Sequence, residues 1–241
     1  MEFNEPTTYI LLFLLPLLSG WIITYFKTPM TVNLKMLLSF SGSFLLAICF
    51  LHLIPELYHE YSYSIGIFIL IGFLLQILLE YFSKGIEHGH YHPSKEKSSF
   101  PYSLFLSLCI HSFVEGMVLV EPHAHHGHSF NNTSLLIGIL IHKVPIAVIL
   151  ATLMVTNKTR LKYRIFSIFI FAITAPLGLF LATTYGSHLL DNVALINALA
   201  VGILLHVSTT ILFETSEAHK FDLKKFMVII LGLISAIIVL L

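Results

Sequence analysis

The chain has 241 residues, 56% of them hydrophobic and only 11% charged, and its 13 basic residues balance 13 acidic ones. A soluble domain of this length cannot hide so much apolar surface from water, so the composition excludes an ordinary soluble protein and predicts lipid as the main solvent. The balanced charge says nothing about partners, and no nucleic-acid partner is expected. The two cysteines, Cys49 and Cys109, lie inside apolar runs and indicate neither a disulfide framework nor a CxxC site.

Eight apolar segments follow one another along the chain, each about 17–25 residues long, the length that crosses the hydrocarbon of a bilayer. They cover residues 7–26, 34–58, 64–84, 99–121, 132–155, 163–185, 190–214 and 224–241. The pattern predicts an all-α polytopic membrane protein, an eight-helix transmembrane bundle that forms a single domain over residues 1–241.

Basic residues fall on alternate connections between these segments. All but one of the 13 cations lie at or beside the connections between segments one and two, three and four, five and six, and seven and eight. The positive-inside rule therefore places these connections in the cytoplasm. We expect a multi-pass protein of the cell membrane with both termini outside.

Segment two ends in CFLHLIPELYHEY, where His52 and Glu56 are four positions apart and Pro55 lies between them. The spacing puts the imidazole and the carboxylate on one face of a helix. Because this end of the segment faces outside, the pair is interpreted either as a mouth that attracts cations or as an interfacial pair that anchors the helix end.

Two connections are rich in histidine. The cytoplasmic connection at about 85–98 and the outer connection after segment four carry seven histidines: His88, His90, His92, His123, His125, His126 and His128. Short histidine tracts collect metal ions, and their presence on both faces of the membrane suits a transported ion. The alternative is a solvated polar loop on each side.

Segments four and five carry ionisable residues in the middle of apolar runs. His111 and Glu115 lie one helical turn apart in segment four, and His142 lies in segment five, followed by Lys143 and Pro145. Ionisable groups at membrane depth are costly, and Glu115 is the nearest plausible partner for Lys143. Two imidazoles and a carboxylate are ordinary ligands of a divalent transition metal. The alternative for each residue alone is a polar side chain that bonds to a neighbouring helix.

Segment seven offers a second polar track. His206 lies in mid-membrane and Glu214 near the cytoplasmic end, a spacing that suits an exit path. A structural hydrogen bond is the other interpretation of His206. Gln76, Glu80 and Asn197 are further polar residues in apolar segments and are interpreted as packing residues.

These motifs together resemble the ZIP (Zrt/Irt-like) family of divalent metal transporters over nearly the whole chain. The resemblance includes HLIPE in segment two, HSFVEG in segment four, HKVPIA in segment five, APLG in segment six and AVGILLHV in segment seven. The histidine-rich cytoplasmic connection after segment three matches the same family. The combination is specific, although no single motif would be.

The resemblance implies a metal site between segments four and five. His111 and Glu115 match the ligands of segment four, and His142 matches the leading ligand of segment five. The chain departs from the two-metal members at Ser112, Lys143 and Ile146, where many members have an asparagine, an acid and another ligand. We therefore expect a mononuclear site, with Ser112 and Lys143 beside the pathway.

The sequence as a whole predicts a transporter that moves a divalent metal into the cytoplasm, with the lipid bilayer and the ion as its partners. Zinc is the first choice from family frequency, and Fe²⁺, Mn²⁺ or Cd²⁺ suit the same ligands. No organic cofactor and no enzymatic activity are expected. The alternatives are an intramembrane zinc-dependent hydrolase and a metal sensor without flux; the oligomeric state is left open, with a homodimer plausible.

Overall fold

A computed structural model describes residues 5–26, 34–60, 63–83, 102–120, 132–189, 193–213 and 222–241 of the chain. The helices are α1 (Glu5–Phe26), α2 (Leu34–Ile48), α3 (Ile54–Glu60), α4 (Tyr63–Ser83), α5 (Tyr102–Met117), α6 (Asn132–Thr156), α7 (Leu161–Leu189), α8 (Val193–Phe213) and α9 (Leu223–Leu240). No strand occurs among the described residues, so the expected all-α class is confirmed for this part of the chain.

Seven helical segments of the described chain are long and apolar enough to cross a membrane. They are α1, the continuous stretch Leu34–Tyr58, α4, α6, α7, α8 and α9. The chain is therefore a polytopic helical bundle. Helix α5 is apolar but has 16 residues, or about 24 Å at 1.5 Å per residue, so its crossing stays a prediction.

The chain between α2 and α3 forms a π-helical turn at Cys49–Leu53. The backbone N–H of Ile54 donates to the carbonyl of Cys49, five residues earlier, instead of the carbonyl four residues earlier. Pro55 follows, and its ring would crowd the carbonyl of Leu51 in a regular α-helix. The wider turn gives that ring room and places His52 inside the irregular turn.

The most extensive helix contacts divide the bundle into two groups. Helices α1, α5, α6 and α7 form one group, and α2, α4, α8 and α9 form the other. The groups meet mainly where α2 packs on α6 and where α4 packs on α5. This interface is where the polar side chains of segments four and five lie.

Glycines bring the backbones of α5 and α7 together. A Cβ atom added at Gly116 would collide with the carbonyl oxygen of Ala175, and one added at Gly178 would collide with that of Phe113. Such a close approach of two helices requires small residues at the contact. It fixes α5, the helix with two candidate ligands, against its neighbour.

The exterior of the bundle is apolar, and its apolar core also contains buried ionisable side chains. Large apolar residues such as Leu70, Leu74 and Ile238 face outward from the bundle, whereas His142 and Lys143 are completely buried. Apolar surface on the outside suits lipid, and buried polar residues mark the interior as the functional region.

Candidate metal centre

His111, Glu115 and His142 come together at the contact between α5 and α6. One ligand atom from each side chain lies within 4.8 Å of the others. Nε2 of His111 is 3.2 Å from Oε1 of Glu115, and Nε2 of His142 is 3.8 Å from the same oxygen. The three residues are at most 1% exposed. Two nitrogens and one oxygen therefore converge in a buried place.

The two imidazole rings face the carboxylate from different directions. Their centroids are 6.0 Å apart and their planes meet at 79°. Because each ring presents Nε2 to the same oxygen of Glu115, the three donor atoms surround one common point. This arrangement could hold a divalent transition metal, to which imidazole nitrogen and carboxylate oxygen are ordinary ligands.

The other nitrogen of each ring meets a polar side chain from the second group of helices. Nδ1 of His111 lies 3.3 Å from Oε1 of Gln76 on α4. Nδ1 of His142 lies 3.4 Å from Oγ of Ser41 on α2. The sequence analysis missed both contacts, because it interpreted Gln76 as a packing residue and did not single out Ser41.

Lys143 meets the second oxygen of the same carboxylate. Its Nζ lies 2.6 Å from Oε2 of Glu115, and the ammonium group lies 5.7 Å from the centroid of the Phe171 ring. Glu115 is thus the partner that the sequence suggests for this lysine. One carboxylate oxygen faces the two imidazoles, and the other faces the ammonium group.

Ser112, Lys143 and Ile146, where the sequence departs from the two-metal pattern that it resembles, contact other side chains. The hydroxyls of Ser112 and Thr174 are hydrogen-bonded to each other at 2.7 Å. Ile146 is buried in an apolar cluster, and Lys143 pairs with Glu115. An ammonium group and an alkyl group have no lone pair for a metal, so the Lys143 and Ile146 side chains offer no ligand as they stand.

The pair of His52 and Glu56 that the sequence spacing predicts is present. Nδ1 of His52 lies 3.9 Å from Oε2 of Glu56, and the side chains are 20% and 34% exposed. His52 belongs to the π-helical turn and Glu56 to the first turn of α3. The distance suits a weak ion pair that anchors the helix end. It equally suits two metal-ligand atoms that attract a cation.

His206 has an acidic neighbour that the sequence analysis missed. Its Nε2 lies 3.5 Å from Oε2 of Glu80 on α4, and the Phe73 ring meets the imidazole edge-on at 4.8 Å. Gln76 and Glu80 are four residues apart on one apolar helix, so they share a face. That spacing is the signal that could have identified them as a polar track instead of packing residues.

Asn197 keeps the structural role expected of it, since its Nδ2 donates to the carbonyl of Val120 at 3.0 Å. Several other candidate residues lie outside the described part of the chain. They are Glu214 and the loop histidines His88, His90, His92, His123, His125, His126 and His128. Their proposed roles stay predictions.

Comparison with known proteins gives one family. The family model described as ZIP Zinc transporter matches residues 87–240. The match covers more than half of the chain and includes all three converging residues. No curated protein matches the chain.

Proposed function

Because the chain belongs to the ZIP zinc transporter family, we propose that it carries a divalent transition metal, zinc in the first place, across the cell membrane into the cytoplasm. His111, Glu115 and His142 bind the ion on its way. The observation that carries the proposal is the convergence of their three ligand atoms within 4.8 Å in a buried part of the bundle.

The spacing of these atoms fits a small ion. Zinc–nitrogen distances of about 2.0–2.1 Å put neighbouring ligand atoms of a tetrahedral ion about 3.3 Å apart. The two imidazole nitrogens lie 3.2 Å and 3.8 Å from the carboxylate oxygen. The three ligand atoms lie within 4.8 Å of one another, so the two rings have to move closer together to give a three-ligand site with a fourth position left for water. The donor set also suits Fe²⁺, Mn²⁺ and Cd²⁺.

The site binds one ion. Lys143 and Ile146 put a cation and an alkyl group in place of potential ligands, and the Ser112 hydroxyl is hydrogen-bonded to the hydroxyl of Thr174. A second divalent ion beside Glu115 would meet the ammonium group at close range and be repelled. The same ammonium group reduces the negative charge of the site, so that a bound ion can leave.

The ion follows a polar track on either side of the site. His52 and Glu56 receive it at the outer mouth, and the outer loop histidines His123, His125, His126 and His128 gather it from solution. His206 passes it on with Glu80, which lies 3.5 Å away. Glu214 and the cytoplasmic histidines His88, His90 and His92 accept it at the inner face.

The whole chain, residues 1–241, acts as a single transmembrane transport domain. Helix α5 supplies an eighth crossing, and the alternation of basic connections places both termini outside. The close backbone contact between α5 and α7 supports the crossing, because α7 is itself long enough to span a bilayer. The homodimer stays a prediction.

The protein is not an enzyme on this proposal. A zinc hydrolase needs a general base beside a metal-bound water. Within the described residues, Glu115 is the carboxylate of the site, and it is both a ligand and the partner of Lys143. A carboxylate held on both sides is a poor base. A metal sensor would have the same site without flux.

One assay separates transport from both alternatives. Purified protein is placed in liposomes that contain a zinc-sensitive dye, and zinc is added outside. We expect zinc to reach the dye with the unmodified protein and with Cys109→Ala, a control on the same helix, but not with the double variant His111→Ala/His142→Ala. Equal flux with the double variant, or none with the unmodified protein, contradicts the proposal.

A further inference from the structure

Gln76 and Ser41 contact the Nδ1 atoms of the two histidines, on the side of each ring away from Glu115. We propose that Gln76 and Ser41 are positioning residues that fix His111 and His142 in the tautomer with a proton on Nδ1. This leaves the lone pair of each Nε2 directed at the ion. The inference rests on the proposed function of the site, because it concerns how the same ligands are prepared for zinc.

The chemistry of the outer partners decides which ring nitrogen carries the proton. The Oε1 atom of Gln76 only accepts hydrogen bonds, so Nδ1 of His111, 3.3 Å away, must donate. The hydroxyl of Ser41 donates to the carbonyl of Leu38 at 3.0 Å. Its oxygen therefore offers a lone pair to Nδ1 of His142, 3.4 Å away.

The consequence appears on the other side of each ring. A neutral imidazole with a proton on Nδ1 has a lone pair on Nε2. Nε2 of His111 then faces Oε1 of Glu115 at 3.2 Å as one acceptor facing another. Two lone pairs that face each other at this distance repel, and a metal ion between them removes the repulsion. Gln76 and Ser41 thus set up the site for a metal ion, in the way that outer partners of metal-bound histidines generally do.

Both outer partners come from the second group of helices. Gln76 lies on α4 and Ser41 on α2, whereas the ligands lie on α5 and α6. Ring orientation is therefore fixed across the interface where α4 packs on α5 and α2 packs on α6. The chain offers a matched control for each residue: Ser43 donates to the carbonyl of Phe40 on its own helix, and the Asn197 amide bonds to Val120.

The first test reads the tautomer directly. The full-length protein, labelled with ¹⁵N-histidine and freed of metal, is studied in lipid by two-bond ¹H–¹⁵N magnetic resonance. The signals of the two rings are assigned by their loss in His111→Ala and His142→Ala. We expect both rings to carry the proton on Nδ1. A proton on Nε2 alone in either ring would leave Nδ1 as an acceptor, so that the outer partner donates, and this overturns the inference.

The second test measures zinc affinity and uptake. We expect Gln76→Leu to weaken zinc binding about 10- to 100-fold and to disturb the tautomer of His111 alone. Ser41→Ala should do the same for His142, while Ser43→Ala and Asn197→Leu leave zinc affinity unchanged. Gln76→Glu keeps an acceptor with added charge, so it should bind zinc more tightly and lower the maximal uptake rate.

The outcomes keep the inference separate from the proposed function. If Gln76→Leu and Ser41→Ala bind zinc as tightly as their controls, the positioning role is wrong, whether or not the unmodified protein transports zinc. If Gln76→Leu does not fold, the tautomer of His111 in the unmodified protein decides alone. Failure of the unmodified protein to transport zinc counts against the proposed function and leaves the tautomer result standing.

Discussion

Lys143 Nζ and Glu115 Oε2 form an ion pair of 2.6 Å in the interior of the bundle, with both side chains at most 1% exposed. A buried lysine is stable only when its charge is compensated, and Glu115 supplies the compensating charge. The pair also prevents Glu115 from offering both oxygens to an ion. The site therefore presents one carboxylate oxygen and two imidazole nitrogens, a donor set with low charge.

Lys143→Met should make zinc bind more tightly while it destabilises the metal-free protein. Unit charges about 4 Å apart interact by about 4 kcal/mol at an effective dielectric constant of 20. Loss of even part of this repulsion between the ammonium group and the ion raises zinc affinity at least tenfold. Without metal, the unpaired carboxylate costs about 3–5 kcal/mol. Thermal unfolding in detergent, with and without zinc, measures both effects.

Lys162→Met is the matched control for this prediction. Lys162 is exposed, and its Nζ lies 5.0 Å from the centroid of the Tyr163 ring, away from the metal centre. The Lys162→Met substitution should therefore leave zinc affinity and the unfolding temperature unchanged. An unchanged zinc affinity in Lys143→Met would show that the ammonium group does not regulate the site.

Glu80→Gln should slow the release of zinc without changing its binding at the centre. The substitution keeps the shape of the side chain but removes the charge that lies 3.5 Å from His206. We expect the maximal uptake rate to fall several-fold and the affinity measured at equilibrium to stay constant. In a double-mutant cycle, Glu80→Gln and His206→Ala should be strongly non-additive, because the two side chains act as one pair.

Additive effects of these two substitutions on the uptake rate would show that His206 and Glu80 do not act as a pair. A normal uptake rate in Glu80→Gln would place the cytoplasmic route elsewhere. The control is Asn197→Leu. It removes a buried amide that lies on the same helix as His206 and donates to the Val120 carbonyl. It should leave the ratio between uptake rate and affinity unchanged.

Glu56→Gln should affect the capture of zinc at the outer mouth. The Glu56 side chain is 34% exposed, so its field acts on ions in solution and is screened by salt. We expect the zinc concentration for half-maximal uptake to rise at low ionic strength and the maximal rate to stay constant. The difference from the unmodified protein should shrink as salt is added. A difference independent of salt would favour the anchoring role of the pair with His52.

The sequence was sufficient for the helical class and for the positions of most helices, because continuous apolar runs in lipid admit little else. It also brought His111 and Glu115 to one face through their spacing alone. It could not predict Gln76 or Ser41 as ring partners, since the register between helices of different groups is not encoded in any single helix. The π-helical turn before Pro55 is a local matter: the proline indicates a disturbance of the helix, but the sequence does not decide between a kink and a wider turn.

The eighth crossing can be tested by labelling single cysteines with a membrane-impermeant reagent. Tyr102 begins α5 and Tyr63 begins α4, and they are 75% and 83% exposed. If α5 crosses the membrane, Tyr102→Cys lies in the cytoplasm, while Tyr63→Cys and Thr133→Cys, at the start of α6, lie outside. Reagent added outside intact cells should then label only Tyr63→Cys and Thr133→Cys.

The native cysteines give little background in this experiment, because Cys49 and Cys109 are buried. Alanine replacements remove what remains. Labelling of Tyr102→Cys from outside would place both ends of α5 on one face and contradict the crossing.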